Sequence, residues 1–191
     1  PGSLSFFSFW VPLFFQVSPL IILYIFYLSL LYAGQKFMAF QWDLLLLEAG
    51  FLAFMLTLAV KPGIWLLRWL MFRFMLASGL VKIMSGDPAW HDLSALSYHF
   101  ETQPLPSPLA WYAHYLPSEI LAFGTGATLF IELFIVFLVF FPRYLRFAAA
   151  FSFLLLQTVI ALTGNYNFFN LLAIILCLPL FDDAAIRKAI P

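Results

Sequence analysis

Three histidines, His91, His99 and His114, share one stretch with Asp92, Glu101 and Glu119. Imidazole and carboxylate together are the raw material of a zinc site or of general acid–base work. The histidines, however, stand eight and fifteen residues apart, which matches no compact ligand motif. Ordinary loop polarity is therefore the leading reading, ahead of an acid–base role for His99 or Glu101 and of a metal. The stretch also offers Asp87, Trp90, Gln103 and Trp111 as candidate contact residues. No metal or cofactor is expected, and no residue is assigned a catalytic role.

A second set of chemically active residues lies inside apolar runs. Asp43 and Glu48 interrupt FQWDLLLLEAGF, while Arg68, Arg73 and Lys82 punctuate WLLRWLMFRFMLASGLVK. Glu132 sits in TLFIELF, Gln157 in LLLQTV, and Asn165, Asn167 and Asn170 in TGNYNFFN. A charge within hydrocarbon costs several kcal/mol unless it is paired or hydrated. Acids and bases fall on different predicted helices, so the simplest expectation is an interhelical network that fixes packing. A polar cavity for a lipid-like or quinone-like ligand is the alternative, with a proton or ion path behind it. Arg68 and Arg73 are five residues apart, about 140° around a helix. Arg68 lies near a helix end and can snorkel. Arg73 lies deeper, with Glu48 or Glu132 as its expected partner. The amides need hydrogen-bond partners, so TGNYNFFN should break or cap a helix against the bundle.

Composition fixes the solvent in which these residues are held. Of 191 residues, 64% are hydrophobic and only 9% charged. Soluble domains have about 25% charged residues, so a chain this apolar must face lipid. Aromatics make up 20%, as expected of rings facing acyl chains or the membrane interface. The formal net charge is +0, which leaves no field to recruit nucleic acid. Walker, GxSxG, HExxH and dinucleotide-binding motifs are missing from the sequence. Cys177, the one cysteine, lies in an apolar run and reads as a buried core residue. Pro1 opens the chain with no basic lead-in, which reads as a fragment or a processed start.

A spanning helix needs about 20 mostly apolar residues. Candidate spans run over 19–34, 42–60, 64–84, 119–141, 144–163 and 166–181. Residues 4–17 are apolar too and are expected to be broken from the next run at Ser18-Pro19. The predicted fold is therefore all-α, a polytopic transmembrane bundle of six or seven helices forming a single domain over 1–191. Its one long connection, 85–118, is Pro-rich and has room for non-helical, water-facing structure. There QPLPSPL should be extended, preceded by a short helix capped by Asp87 or Asp92. Gly124 and Gly126 fall at a helix start, where close packing suits them better than phosphate binding. Lys61, Arg68, Arg143, Arg146, Arg187 and Lys188 fall on one side of alternating crossings, Lys36 and Lys82 on the other. The positive-inside rule then puts the 85–118 loop outside the cytoplasm.

Three long stretches carry a likeness beyond topology: FMAFQWDLLLLEAGFLAFM, WLLRWLMFRFMLASGLVKIMSGDPAWHDLSALSYHFETQPLPSPLAWYAHYLP and LTGNYNFFNLLAIILCLPLFDD. In this order, from about Gly34 to Asp183, they resemble the lipase maturation factor family. The resemblance implies an integral membrane protein that assists folding, assembly or maturation of secretory or exported clients such as lipases. The same resemblance implies a chaperone-like factor rather than an enzyme. The membrane would be the endoplasmic reticulum in a eukaryote and the inner membrane in a bacterium, and the short Lys61-Pro62-Gly63 link is consistent with a bacterial source. In the family a large soluble domain implicated in client binding lies beyond the position of FDDAAIRKAIP, and on this resemblance it is expected to fall outside the present sequence. The expected partners are thus membrane lipids, and a lipase-like client met through that missing domain or through loop 85–118.

The WLLRW…FR…GLVK helix is more distantly similar to the membrane core of vitamin K-dependent carboxylase-like proteins. That likeness implies the alternative function, a membrane enzyme with an intramembrane polar cavity. A folding factor would need an exposed patch around Trp90, Pro104 to Pro108, Trp111 and Tyr112. An enzyme would need Arg73, Glu48, Glu132 or the loop His and Glu side chains to converge on a cavity.

Overall fold

A computed structural model of the chain describes residues 2–38 and 40–189, with side chains described over 17–38 and 40–188. The described residues are all helical or irregular, without a strand. Helix α1 covers Gly2–Gly34, α2 Gln41–Leu58, α3 Val60–Met84, α4 Pro88–His91 and α5 Ala95–Thr102. Helix α6 covers Pro108–His114, α7 Ser118–Leu133, α8 Arg143–Thr163, α9 Phe168–Ile175 and α10 Asp183–Ala189. Among the described residues, five segments are long and apolar enough to cross a membrane: Val17–Met38, Gln41–Leu58, Val60–Met84, Ser118–Phe140 and Arg143–Thr163. The polytopic helical bundle read from the sequence is the observed architecture.

The chain forms two compact units, residues 1–70 and 71–191. In the first, α1 runs unbroken through Ser18 and Pro19, against the expected break. A proline removes one backbone bond and crowds the preceding turn, but spanning helices tolerate this where neighbours re-satisfy the backbone. The expected 61–63 link also contracts, since Ala59 alone, extended at φ −148°, separates α2 from α3. Pro62 falls in the first turn of α3, where its missing N–H is not needed. Gly63 permits the close approach of the two helices at this junction, because a Cβ there would lie 2.7 Å from Leu56 Cα. Tyr24 packs beside Gly50 and tilts against Phe51, joining α1 to α2.

In the second unit α7 continues into a 3-10 helix, Ile135–Phe140, which ends before Pro142. Residues three apart eclipse in such a helix. Val136 and Val139 are accordingly both buried, while Phe137 and Phe140 both present edges to Phe72 of α3. The expected span at 166–181 is a shorter apolar helix, Phe168–Leu180, closed by a 3-10 turn at Leu178–Leu180. It runs antiparallel to α8. Asn170 meets Gln157 at one end, while Arg146 Nε donates to Leu180 O (2.7 Å) and Arg143 pairs with Asp182 (2.8 Å) at the other. Phe153, Ala149, Ala150, Ala173 and Cys177 are fully buried, the small residues letting the two helices close up.

The 85–118 connection is not the irregular loop expected. It folds into α4, α5 and α6. Asp87 caps α4 by accepting from Ala89 N (2.9 Å), as one of the two expected caps. Asp92 instead closes the next turn, accepting from the Ser94 amide (3.0 Å) and hydroxyl (2.5 Å), which holds its carboxyl below the usual carboxylate range. Within QPLPSPL only 103–107 lie outside helices. Pro108 is the first residue of α6, where a preset φ suits helix initiation, and Ser107 caps it.

Candidate functional site

One polar cluster of the second unit is built on Lys82, in the last turn of α3. Its Nζ donates to both oxygens of Glu132 on α7, at 2.8 and 2.7 Å. It also donates to Ser78 O (3.2 Å) and lies over the Trp90 ring of α4, 5.4 Å from its centroid. Glu132 is 5% exposed, a burial that an unpaired carboxylate could not sustain. Gly79, one turn before Lys82, creates the close approach: a Cβ there would stand 2.9 Å from Glu132 Cβ and 2.8 Å from Leu133 Cδ2. Lys82 thus ties together two spanning helices and the start of the folded connection.

Three further contacts pin that connection. Thr125, fully buried on α7, is within 3.4 Å of Leu96 N, and Gly124 leaves room for the Leu96 side chain. Ser107 Oγ donates to Leu162 O in the last turn of α8 (2.5 Å). His99 stacks on Tyr166, with rings nearly parallel at 10° and centroids 6.3 Å apart. Burial makes the His99 imidazole harder to protonate and the Tyr166 phenol harder to ionise. Residues 85–118 therefore form a folded cap on one end of the second unit.

Lys82 and Glu132, two members of the sequence-derived polar network, meet directly. Glu132, offered as a partner for Arg73, takes Lys82 through both oxygens. Gln157 and Asn170 form a buried pair, Asn170 Nδ2 donating to Gln157 Oε1 at 2.9 Å. Asn167 adopts φ +54° at the start of α9, and Asn165 is exposed beside it. In the first unit Asp43 is 3% exposed and accepts from the Tyr27 hydroxyl at 2.5 Å. Arg68 lies over Trp65, 5.7 Å from the ring centroid, in the manner of a snorkelling guanidinium held by an aromatic face. Glu48 and Arg73 are exposed, each with interactions of its own.

The cap separates the loop candidates. Asp87 is a helix cap, Trp90 is half-buried against Lys82, and His99 faces Tyr166. Glu101 and Trp111 are exposed, and Gln103 is half-buried with its Nε2 lacking a hydrogen-bond partner. Among the described residues no three His, Cys, Asp or Glu side chains cluster closely enough to hold a metal. Sequence reasoning passed over Tyr27, Gly79, Ser107, Thr125 and Tyr166. Only Gly79, a small residue three before a lysine in an apolar run, carried a usable signal.

A profile of the lipase maturation factor transmembrane domain matches residues 2–188. Lipase maturation factor 2 of Xenopus laevis is 49% identical over 177 residues, 85% of this chain and 25% of its own length. The human lipase maturation factor 2 is 47% identical over 179 residues, 82% of this chain and 25% of its own. Lipase maturation factor 1 of Mus musculus is 38% identical over 177 residues, 86% of this chain and 31% of its own. The chain thus spans about a quarter of the length of these two lipase maturation factor 2 relatives. No solved structure matches it.

Proposed function

The chain belongs to the lipase maturation factor family and is an integral membrane protein, and on that premise we propose that it serves the maturation of exported enzymes of the lipase type. The observation that carries this reading is the likeness to lipase maturation factors 1 and 2 along nearly the whole chain. In this reading the spanning helices are a scaffold, and the 85–118 cap is held at their non-cytoplasmic mouth. The membrane is that of the endoplasmic reticulum in a eukaryotic host and the inner membrane in a bacterial one. Clients engage the cap or a soluble portion of the kind other family members carry. The polar network is architectural, because Lys82 and Glu132 neutralise each other and Gln157 and Asn170 satisfy each other. That pairing gives no support to the enzyme reading.

The test is a chimera. This chain replaces the matching membrane segment of a mouse lipase maturation factor 1, expressed in cells that lack their own factor. Secretion of active lipase at a level near that of the parent is the expected result. A chimera that inserts and accumulates normally while the lipase stays inactive would refute the reading.

A further inference from the structure

Uncharged chain runs from Thr102 to Ser118, TQPLPSPLAWYAHYLPS, with no Lys, Arg, Asp or Glu. Helix α6 lies at its centre and divides its residues sharply. Ala110 and Ala113 are buried, at 2% and 8% exposure, and face the bundle. Leu109, Trp111, Tyr112, Tyr115 and Leu116 are exposed, as is Leu105 just before the helix. A water-facing surface would not ordinarily leave so many large apolar and aromatic side chains together without a charge among them. Trp and Tyr are instead the residues enriched where membrane meets water, with an apolar ring and a polar tip.

The position of α6 agrees with that chemistry. Ser107, its N-cap, is hydrogen-bonded to Leu162 O in the final turn of α8. On α8 the exposed residues Phe151, Leu155, Val159 and Leu162 recur at helical spacing, which marks the lipid-facing stripe of a spanning helix. That stripe ends at the residue to which α6 is tethered. The aromatic surface of α6 therefore continues the lipid-facing surface at the depth where the span emerges.

We infer that α6 with its C-cap Tyr115 is an interfacial anchor whose exposed Trp111, Tyr112 and Tyr115 face the headgroup layer of the leaflet next to the α8 C-terminus. The binding is to the boundary between headgroups and acyl chains, and lipid charge contributes nothing, since the segment carries no charge to meet it. This is independent of which client the protein serves. It leaves α4 and α5, with Asp92 and Glu101 exposed, as the water-facing part of the cap.

Fluorophores placed singly by W111C and Y112C, and by E101C as the aqueous control, on a Cys177→Ala background, report on this directly in lipid nanodiscs. Positions 111 and 112 should be quenched several-fold more by lipid spin-labelled near the headgroup than by lipid labelled near the chain terminus. Both should be shielded from aqueous iodide, and position 101 should show the reverse. The pattern should be the same in phosphatidylcholine discs and in discs containing phosphatidylglycerol. Iodide access at 111 and 112 equal to that at 101 overturns the inference and makes the patch water-facing. Lipid quenching confined to the anionic discs, or strongest with the deep label, overturns it as well. Two aromatic positions are used so that one misfolded variant does not decide the outcome.

Discussion

Lys82 grips both carboxylate oxygens of Glu132 across two spanning helices, and Gly79 one turn away supplies the space that lets them meet. Low dielectric around the pair makes either charge costly without the other. Glu132→Leu or Lys82→Met alone should therefore destabilise the fold by about 3 kcal/mol, the lower part of the range for breaking a buried pair. The double replacement should recover most of that loss. Unfolding in mixed detergent by circular dichroism measures both, and a double variant as unstable as the sum of the singles would contradict the pairing.

Gly79→Ala adds one methyl where neither neighbour can yield cheaply, because Glu132 Cβ is anchored to the α7 backbone. Overpacking of this kind costs about 1–3 kcal/mol. The melting temperature should fall, while Gly126→Ala, whose Cβ would meet Leu93 at an ordinary 3.9 Å, should leave it nearly unchanged.

Gln157 and Asn170 offer a cleaner measure of a buried amide pair. In membranes such interhelical bonds average about 0.6 kcal/mol and reach about 1.7. A double-mutant cycle with Gln157→Leu and Asn170→Leu should give a coupling energy of about 1 kcal/mol. A coupling of zero would show that the bond does not hold α9 to α8.

His99 makes the cap sensitive to acid. Burial lowers its folded pKa below the ordinary 6.5, so the unfolded or undocked cap binds the proton more readily. Stability from this residue is complete above pH 6.5 and falls as the pH drops through 6.5 towards the lowered folded value. Amide exchange across 95–102 should quicken in that window, and His99→Phe should abolish the pH response while preserving the ring stack on Tyr166. Exchange rates that follow only the intrinsic pH dependence would rule it out.

The spans at 41–58, 60–84, 118–140 and 143–163 were legible because a helix in lipid must satisfy its backbone internally and present apolar side chains for about 20 residues. That constraint is local, so composition and run length suffice to read it. The motifs around Arg68–Lys82 and TGNYNFFN likewise carried the family likeness without any coordinates. Three boundaries differ for equally local reasons. Ser18-Pro19 reads as a break, 61–63 as a link between spans and QPLPSPL as extended, while only 103–107 of the last lie outside helices. Proline disfavours helix interiors. Pro62 and Pro108 lie in first turns, where that penalty vanishes, and α1 tolerates Pro19 within its span.

By itself, then, the sequence determined that this protein lives in a membrane, which residues there are costly, and which family its motifs resemble. Tertiary structure alone decided who pays that cost together. Glu132 could have met Arg73 or Lys82, and nothing in their spacing chose between them. Gly79 chose, by letting α3 and α7 close at the level of Lys82. In the same way Ser107, Thr125 and Tyr166 look like ordinary small or aromatic residues until distant helices bring Leu162, Leu96 and His99 against them. Pairing between segments depends on helix rotation and depth, which a one-dimensional pattern does not encode.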